Sequence, residues 1–296
     1  MKPTFERVLA ALDLTDTDDR ILEMAAALGP YLGMKKIYFL HVMPDFKVPH
    51  PVALEFHKLF SSGYPVDEKV RDDLAAKVQQ VWGERPGTDL QVEVIEGKPF
   101  QKLLHWAEVK NIDLLIVGNK QVSEGSGITA RRLARHSKCH VLMVPDGKAP
   151  GLQTILAPVD FSEPSAKSLE AALELARRQP KAKVHALYVM DLPPSDYYMR
   201  PFETEGFREA LREAAQTAFQ SFLGDHGFSE NEVKKVLADN TLSNTAAYIH
   251  EYAQREGAEM IVLGAQGHSP IENFIFGSVT EKLVDEATDC AVLIIR

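Results

Sequence analysis

The chain repeats itself. The segment RVLAALDLTD, from Arg7, matches TILAPVDFSE, from Thr154, at an offset of 147 residues, and LHVM from Leu40 matches LYVM from Leu187 at the same offset. LLIVG ending at Gly118 matches MIVLG ending at Gly264 at an offset of 146, and CHVLMVP from Cys139 matches CAVLIIR from Cys290 at 151. Four matched segments in one order, at nearly one spacing, describe a duplicated domain. A length of 296 residues also suits two domains better than one core. The expected domains are 1–147 and 148–296, with the seam at Asp146–Gly151, where Gly and Pro separate two apolar runs. The step from 146 to 151 makes the first half five residues shorter between Gly118 and Cys139.

Each half alternates short apolar runs with stretches of helical spacing. In the second half the expected strands are Ile155–Val159, Val184–Val189, Val233–Leu237, Met260–Leu263 and Val292–Ile295. Continuous apolar runs of this length fit parallel strands covered on both faces. Helical spacing covers Ser165–Arg178, Phe207–Leu223 and Thr245–Arg255, the first of them behind Ser162, an N-cap candidate with Pro164 close by. The fold class predicted is α/β: two tandem open parallel sheets, each flanked by helices on both faces.

Charge and composition exclude some function classes. A formal net charge of -9 argues against a nucleic-acid or anionic-membrane binder, which needs a basic footprint, but not against a nucleotide, which needs one local anion site. No apolar run approaches the roughly 20 residues of a membrane span. The N-terminal stretch carries Glu6 and Asp13 where a signal peptide needs clean apolar sequence. Two cysteines with no C-x-x-C pair fit a reducing compartment, so the expected location is the cytoplasm. Cys139 and Cys290 hold equivalent positions at the start of the last strand, which predicts buried small apolar residues in both.

The chemistry sits after the fourth strand of the second half, in GAQGHSPIENFIFGSVTEKLV, Gly264 to Val284. Its form is G-x2-G-x9-G-S: Gly264, Gly267, then Gly277-Ser278, with helical spacing starting around Ser278. Early glycines let backbone amides approach an anion with no Cβ in the way. Gly277, Ser278, Val279 and Thr280 then offer amides, hydroxyls and the positive end of a helix dipole. The carboxyl edge of a parallel sheet is where open α/β folds hold ligands. The alternative is that the glycines only make a strand-to-helix turn.

This loop, together with PVDFS at Pro158–Ser162, resembles the ATP-binding branch of the universal stress protein family, and nearly the whole chain resembles its tandem two-domain type. The resemblance implies five-stranded parallel sheets of order 3-2-1-4-5, with ATP or another adenine nucleotide bound in the second domain. It implies that Asp160 contacts ribose or adenine and that Val189 lines the adenine pocket through its backbone. Gly264, Gly267, Gly277, Ser278 and Val279 would hold ribose and phosphates, together with Thr280. It also implies an intrachain pseudo-dimer through the last strands, CHVLMV and CAVLII, with a further homodimer as an open expectation. His268 reads equally as a phosphate ligand and as a solvent-exposed loop histidine. Asp160 reads as a ligand contact or as a cap for the turn that follows it. Its repeat as Asp13 favours a role common to both halves.

The first half departs from the pattern. Its loop, GNKQVSEGSGITARRLARH, keeps Gly118 but has Gln121 at the second glycine, Ser126 opposite Gly277 and Gly127 opposite Ser278. The expected first-domain site is empty, or binds something smaller or different. Gly125 to Ala130 spells G-x-G-x-x-A, but a dinucleotide fingerprint belongs after the first strand, not the fourth. Arg131, Arg132 and Arg135 begin the following helix and read as a solvated face, with attraction of an anion as the alternative. The aromatic- and Pro-rich segments Asp45–Tyr64 and Asp191–Phe207 read as local packing, or as lids or partner surfaces.

Enzyme signatures are missing. There is no G-x-S-x-G elbow, no G-x4-G-K-[ST] loop and no zinc-ligand spacing among the ten histidines. No Lys or Arg lies between Gly264 and Thr280. Phosphate charge would be met by amides, hydroxyls, His268 and an accompanying divalent metal, an arrangement suited to holding a nucleotide rather than hydrolysing it. The expected function is a nucleotide-binding stress-response or signalling protein, with the first domain as scaffold or pseudo-dimer partner. The alternative is an interaction or small-ligand-sensing protein that uses the first-domain cleft, and a slow ATPase ranks last.

Overall fold

The computed structural model describes residues 5–43, 66–83, 87–120, 127–147, 151–179, 181–191, 205–240, 244–266, 276–287 and 289–296. They fall into two compact units, Thr4–Ala149 and Pro150–Arg296.

The first unit runs β1 Arg7–Leu12, α1 Thr17–Leu32, β2 Lys36–Met43, α2 Val66–Trp82, β3 Asp89–Glu96, α3 Pro99–Val109, β4 Leu114–Asn119, α4 Gly127–His136 and β5 His140–Pro145. Its strands lie in the order β3-β2-β1-β4-β5, every neighbouring pair parallel. The second unit runs β6 Thr154–Pro158, α5 Glu163–Arg178, β7 Lys183–Met190, α6 Glu205–Asp225, a 3-10 turn at Glu230–Glu232, and β8 Val233–Asp239. It continues with α7 Thr245–Glu256, β9 Met260–Gly264, α8 Ser278–Glu286 and β10 Ala291–Ile295. Its strands lie in the order β8-β7-β6-β9-β10, again all parallel. Within each unit the order is therefore 3-2-1-4-5.

Parallel strands joined by helices are covered on both faces, which is why their sequences read as unbroken apolar runs. Val8, Leu9 and Ala10 of β1 are fully buried, as are Ile155, Leu156 and Ala157 of β6, and all of β10 is buried. β3 lies at the end of its unit's strand order, and its DLQVEVIE mixes polar and apolar residues that are half-buried or exposed.

Helix boundaries follow their caps. The helix α5 starts two residues earlier than the apolar spacing predicts, because Ser162 accepts a hydrogen bond from the Ser165 amide (3.3 Å), with Glu163 and Pro164 in the first turn. In α7, Asn244 accepts from the Ala247 amide (3.4 Å) and Gly257 ends the helix in the left-handed conformation.

The two cysteines are not equivalent. Cys290 is buried, and burial pushes its thiol up to about 12, whereas Cys139 is only half-buried. The start of the strand is less covered in the first unit: His140 is half-buried where its counterpart Ala291 is fully buried.

In the second unit β6 pairs with β7 on one side and β9 on the other, Ile155 facing both Val184 and Met260. Chain connections leave the carboxyl ends of β6 and β9 in opposite directions, which opens a crevice there.

Candidate functional site

The crevice begins where β6 ends. Asp160 is half-buried, and its Oδ1 accepts from the Ser162 amide (3.1 Å) and from the Ser162 hydroxyl. Between them Phe161 adopts a left-handed backbone, φ +64°. That conformation costs an L-residue about 1–2 kcal/mol. The Phe161 ring offsets the cost by packing against Tyr188 (centroids 4.4 Å apart), Phe219 (5.5 Å) and Phe222 (5.6 Å). The same device recurs in the first unit. There Leu14 has φ +63° and the Thr15 hydroxyl donates to Asp13 at 2.5 Å. Holding this turn is a role both aspartates perform, and Asp160 additionally lines the cleft.

The other wall comes from β9 and α8. The Gly277 amide donates to the Ala265 carbonyl and the Thr280 hydroxyl to the Gly264 carbonyl, both at 2.9 Å. These bonds pin the two ends of the Gly-rich loop together. The glycines differ in what requires them. A Cβ on Gly264 would lie 2.9 Å from the Gln266 carbonyl oxygen and 3.1 Å from Pro164, so the strand-to-helix packing itself demands glycine. Among the described residues a Cβ on Gly277 would meet nothing nearer than 3.5 Å, and its φ of -64° suits any residue. None of the described neighbours requires glycine at 277; what its missing Cβ leaves open is space at the head of α8. That helix carries no side-chain cap, and its first internal bond is Glu281 N–H to Gly277 O (2.8 Å). The amides of its first turn are directed at the cleft with the dipole behind them.

The resulting cleft has a volume of about 790 Å³. It gathers Asp160, Val189, Gly264, Gly277, Ser278, Val279 and Thr280 along one surface. Among them Thr280 is buried and committed to Gly264, Ser278 is exposed, and Val189 is buried at the end of β7. Gly267 and His268 lie outside the described residues, as do 45–64 and 192–204. Sequence reading passed over Tyr188, Asp191 and Glu281, which also line the cleft. Asp191 accepts from the Asn240 amide nitrogen (2.5 Å) and the Thr245 hydroxyl (3.4 Å). Burial raises the Tyr188 phenol above its usual value, and the Asp191 and Asp160 carboxylates push it the same way. None of the described lining residues is a lysine or arginine. Such a site offers amide donors at one end and carboxylates along its length. Among the described residues no group of three or more His, Cys, Asp or Glu could hold a metal, and no helix is long and apolar enough to cross a membrane.

The first unit treats the same place differently. Lys120, a single residue past β4, puts its Nζ 3.0 Å and 3.3 Å from the Asp13 carboxylate oxygens and donates also to the Thr15 hydroxyl. Its side chain is 5% exposed. The repeat offset sets Lys120 opposite Gln266, and a lysine in a loop whose other copy has none was the signal available in the sequence. Behind this pair Asp18, fully buried, accepts the amides of Asp13 and Leu14, each at 2.9 Å. Burial pushes the Asp18 carboxyl up to about 6, and the Asp13 charge acts in the same direction. Gln121, Gly125 and Ser126 lie outside the described residues, while Gly127 opens α4. Arg132 packs its guanidinium 4.0 Å from the Phe100 ring centroid.

A universal stress protein family model matches residues 4–145 and again 151–296. Universal stress protein MJ0531 of Methanocaldococcus jannaschii is 28% identical over 142 residues, covering 48% of this chain and 81% of that protein. Universal stress protein YxiE of Bacillus subtilis is 28% identical over 148 residues, covering 48% and 97%. A crystal structure of a universal stress protein from Archaeoglobus fulgidus superimposes with a TM-score of 0.64 at 17% identity, covering 100% of this chain and 97% of that one. That likeness is one of fold.

Proposed function

The chain belongs to the universal stress protein family, and we propose that its second unit binds ATP or another adenine nucleotide in a cytoplasmic stress-response or signalling role. The observation that carries this reading is Gly277. It is a glycine that the backbone does not require, placed where its missing Cβ opens an uncapped helix N-terminus to a cleft of about 790 Å³. Val189 and Asp160 at the β6–β7 end would receive the base and ribose. The amides of Ser278 and Val279 would receive phosphate oxygens, with Gly267 and His268 completing the loop. Carboxylates from Asp160, Asp191 and Glu281 border this space, so a polyphosphate would enter with a divalent cation. No lysine or arginine stands among the described lining residues to stabilise charge on a transferring phosphoryl group, which favours holding a nucleotide over turning it over. The first unit serves as its scaffold.

Small molecules released by denaturing freshly purified protein, identified by mass spectrometry and counted per chain, test this directly. The expected result is one adenine nucleotide per chain, with ATP affinity by calorimetry at least about tenfold weaker in EDTA than in magnesium. Two nucleotides per chain would overturn the assignment to the second unit alone. Release of none, with no heat of ATP binding at millimolar concentration, would overturn nucleotide binding itself.

A further inference from the structure

We propose that the first unit's cleft is a second ligand site of different chemistry, taking a small, uncharged, aromatic-sized compound with one polar edge instead of a nucleotide. The cavity measures about 280 Å³ and occupies the position equivalent to the nucleotide-sized cleft of the second unit. Its wall is Leu12, Leu40, Val42, Leu103, Val117 and Leu133, with Asp13, Thr17 and Thr129 as the polar groups. The repeats differ here toward the apolar. Pro99 stands where the second unit has Thr245, and Ala130 where it has Glu281.

Charge narrows the ligand class. The Asp13 carboxylate is already neutralised by Lys120, which lies 3.0 Å away with its side chain almost wholly buried. An anionic ligand would face Asp13, with Asp146 on the Thr17 hydroxyl and Asp18 behind it, while the Lys120 ammonium is already committed to Asp13 and Thr15. An uncharged ring meets no such repulsion. A dry apolar cavity of about 150 Å³ already admits benzene, so the space here suits a bicyclic ring. Sites that combine an apolar wall with a few convergent polar groups are the usual form of small-molecule pockets.

Indole, titrated into the full chain and followed by saturation-transfer NMR and calorimetry, tests the proposal. The expected result is saturable binding with a Kd of about 1 mM or tighter. Benzoate, similar in size but anionic, should bind at least about tenfold more weakly. Leu103→Trp and Ala130→Leu each fill the cavity and should weaken indole by at least about tenfold, while Gly277→Val leaves it unchanged. If either variant loses its cooperative melting transition, the other decides, and the benzoate comparison needs no variant. Absence of saturable binding up to the solubility of indole would overturn the proposal. So would equal binding of benzoate, or undiminished binding in the folded cavity variants. Loss of indole binding in Gly277→Val would also overturn it, by placing the ligand in the second unit. Because the readout is indole and not nucleotide, this outcome is independent of whether the second unit binds ATP.

Discussion

The ammonium of Lys120 lies 3.0 Å from the carboxylate of Asp13, with the lysine side chain 5% exposed and the aspartate side chain 38% exposed. Removing one partner of a wholly buried pair costs about 3–5 kcal/mol. Exposure of Asp13 to water screens this one, and Lys120→Met is expected to destabilise the first unit by about 1–3 kcal/mol. Asp13→Asn should cost less, and the double variant should recover about 1 kcal/mol of the summed losses. Both tryptophans, Trp82 and Trp106, belong to the first unit, so their fluorescence during urea unfolding reports that unit alone. Strict additivity would show that the pair contributes nothing to stability.

Gly264 and Gly277 should separate stability from binding. Gly264→Ala forces a Cβ to 2.9 Å from a backbone oxygen and is expected to destabilise the second unit by about 1–3 kcal/mol. Gly277→Val should change stability by less than about 1 kcal/mol, since the φ of -64° suits any residue and a Cβ keeps at least 3.5 Å from the described neighbours, while lowering ATP affinity at least about tenfold. Thermal melting and calorimetry on the same samples give both numbers. Undiminished affinity in Gly277→Val would remove the head of α8 from the site.

Asp18 should make the first unit more stable in mild acid. Its carboxyl sits at about 6 in the folded chain against the ordinary aspartate value of 3.8, so the folded state binds the proton more tightly. Stability from this proton is fully present below the unfolded value and is lost as pH rises through the folded one. Relative to Asp18→Asn, the native chain should gain about 1–1.5 kcal/mol between about pH 7 and about pH 5. Asp13 and Lys77 are the charges that act on Asp18, and they are common to both proteins. Parallel pH profiles for the two would show that burial does not perturb this group.

The two left-handed turns should respond oppositely to glycine. Leu14 is 50% exposed with φ +63°, so Leu14→Gly relieves strain at little packing cost and should stabilise the first unit by about 0.5–1 kcal/mol. Phe161→Gly relieves the same strain but deletes the ring packed on Tyr188, Phe219 and Phe222, for an expected net loss of about 2–4 kcal/mol. Chemical denaturation of each variant measures the difference.

The strands were legible because burial on both faces writes itself as apolar runs, and the repeat gave each run a second witness. Helix starts were less so: α5 begins at Glu163 because the Ser162 hydroxyl reaches the Ser165 amide, and spacing of apolar residues does not register a cap. Glycines in a motif look alike in sequence, yet Gly264 answers to Pro164 and Gln266 while Gly277 answers to no described neighbour closer than 3.5 Å. Lys120 escaped notice for the same reason. Its partner Asp13 is 107 residues away along the chain, and only the sheet brings the ends of β1 and β4 together. Asp191 and Glu281 follow a strand and sit in a helix without any motif to mark them, so their convergence on one cleft is a property of the fold.

A counter-ion that belongs to the covalent chain, as Lys120 does for Asp13, cannot be diluted or depleted. The second unit has no such built-in partner among its described lining residues, and whatever fills its cleft must come from solution. Any ligand that binds only the folded form adds stability that grows with its concentration, about 2.7 kcal/mol at a hundred times its Kd. If the second unit holds a nucleotide as proposed, its stability would rise with the nucleotide concentration, while the Lys120–Asp13 pair draws on no pool at all.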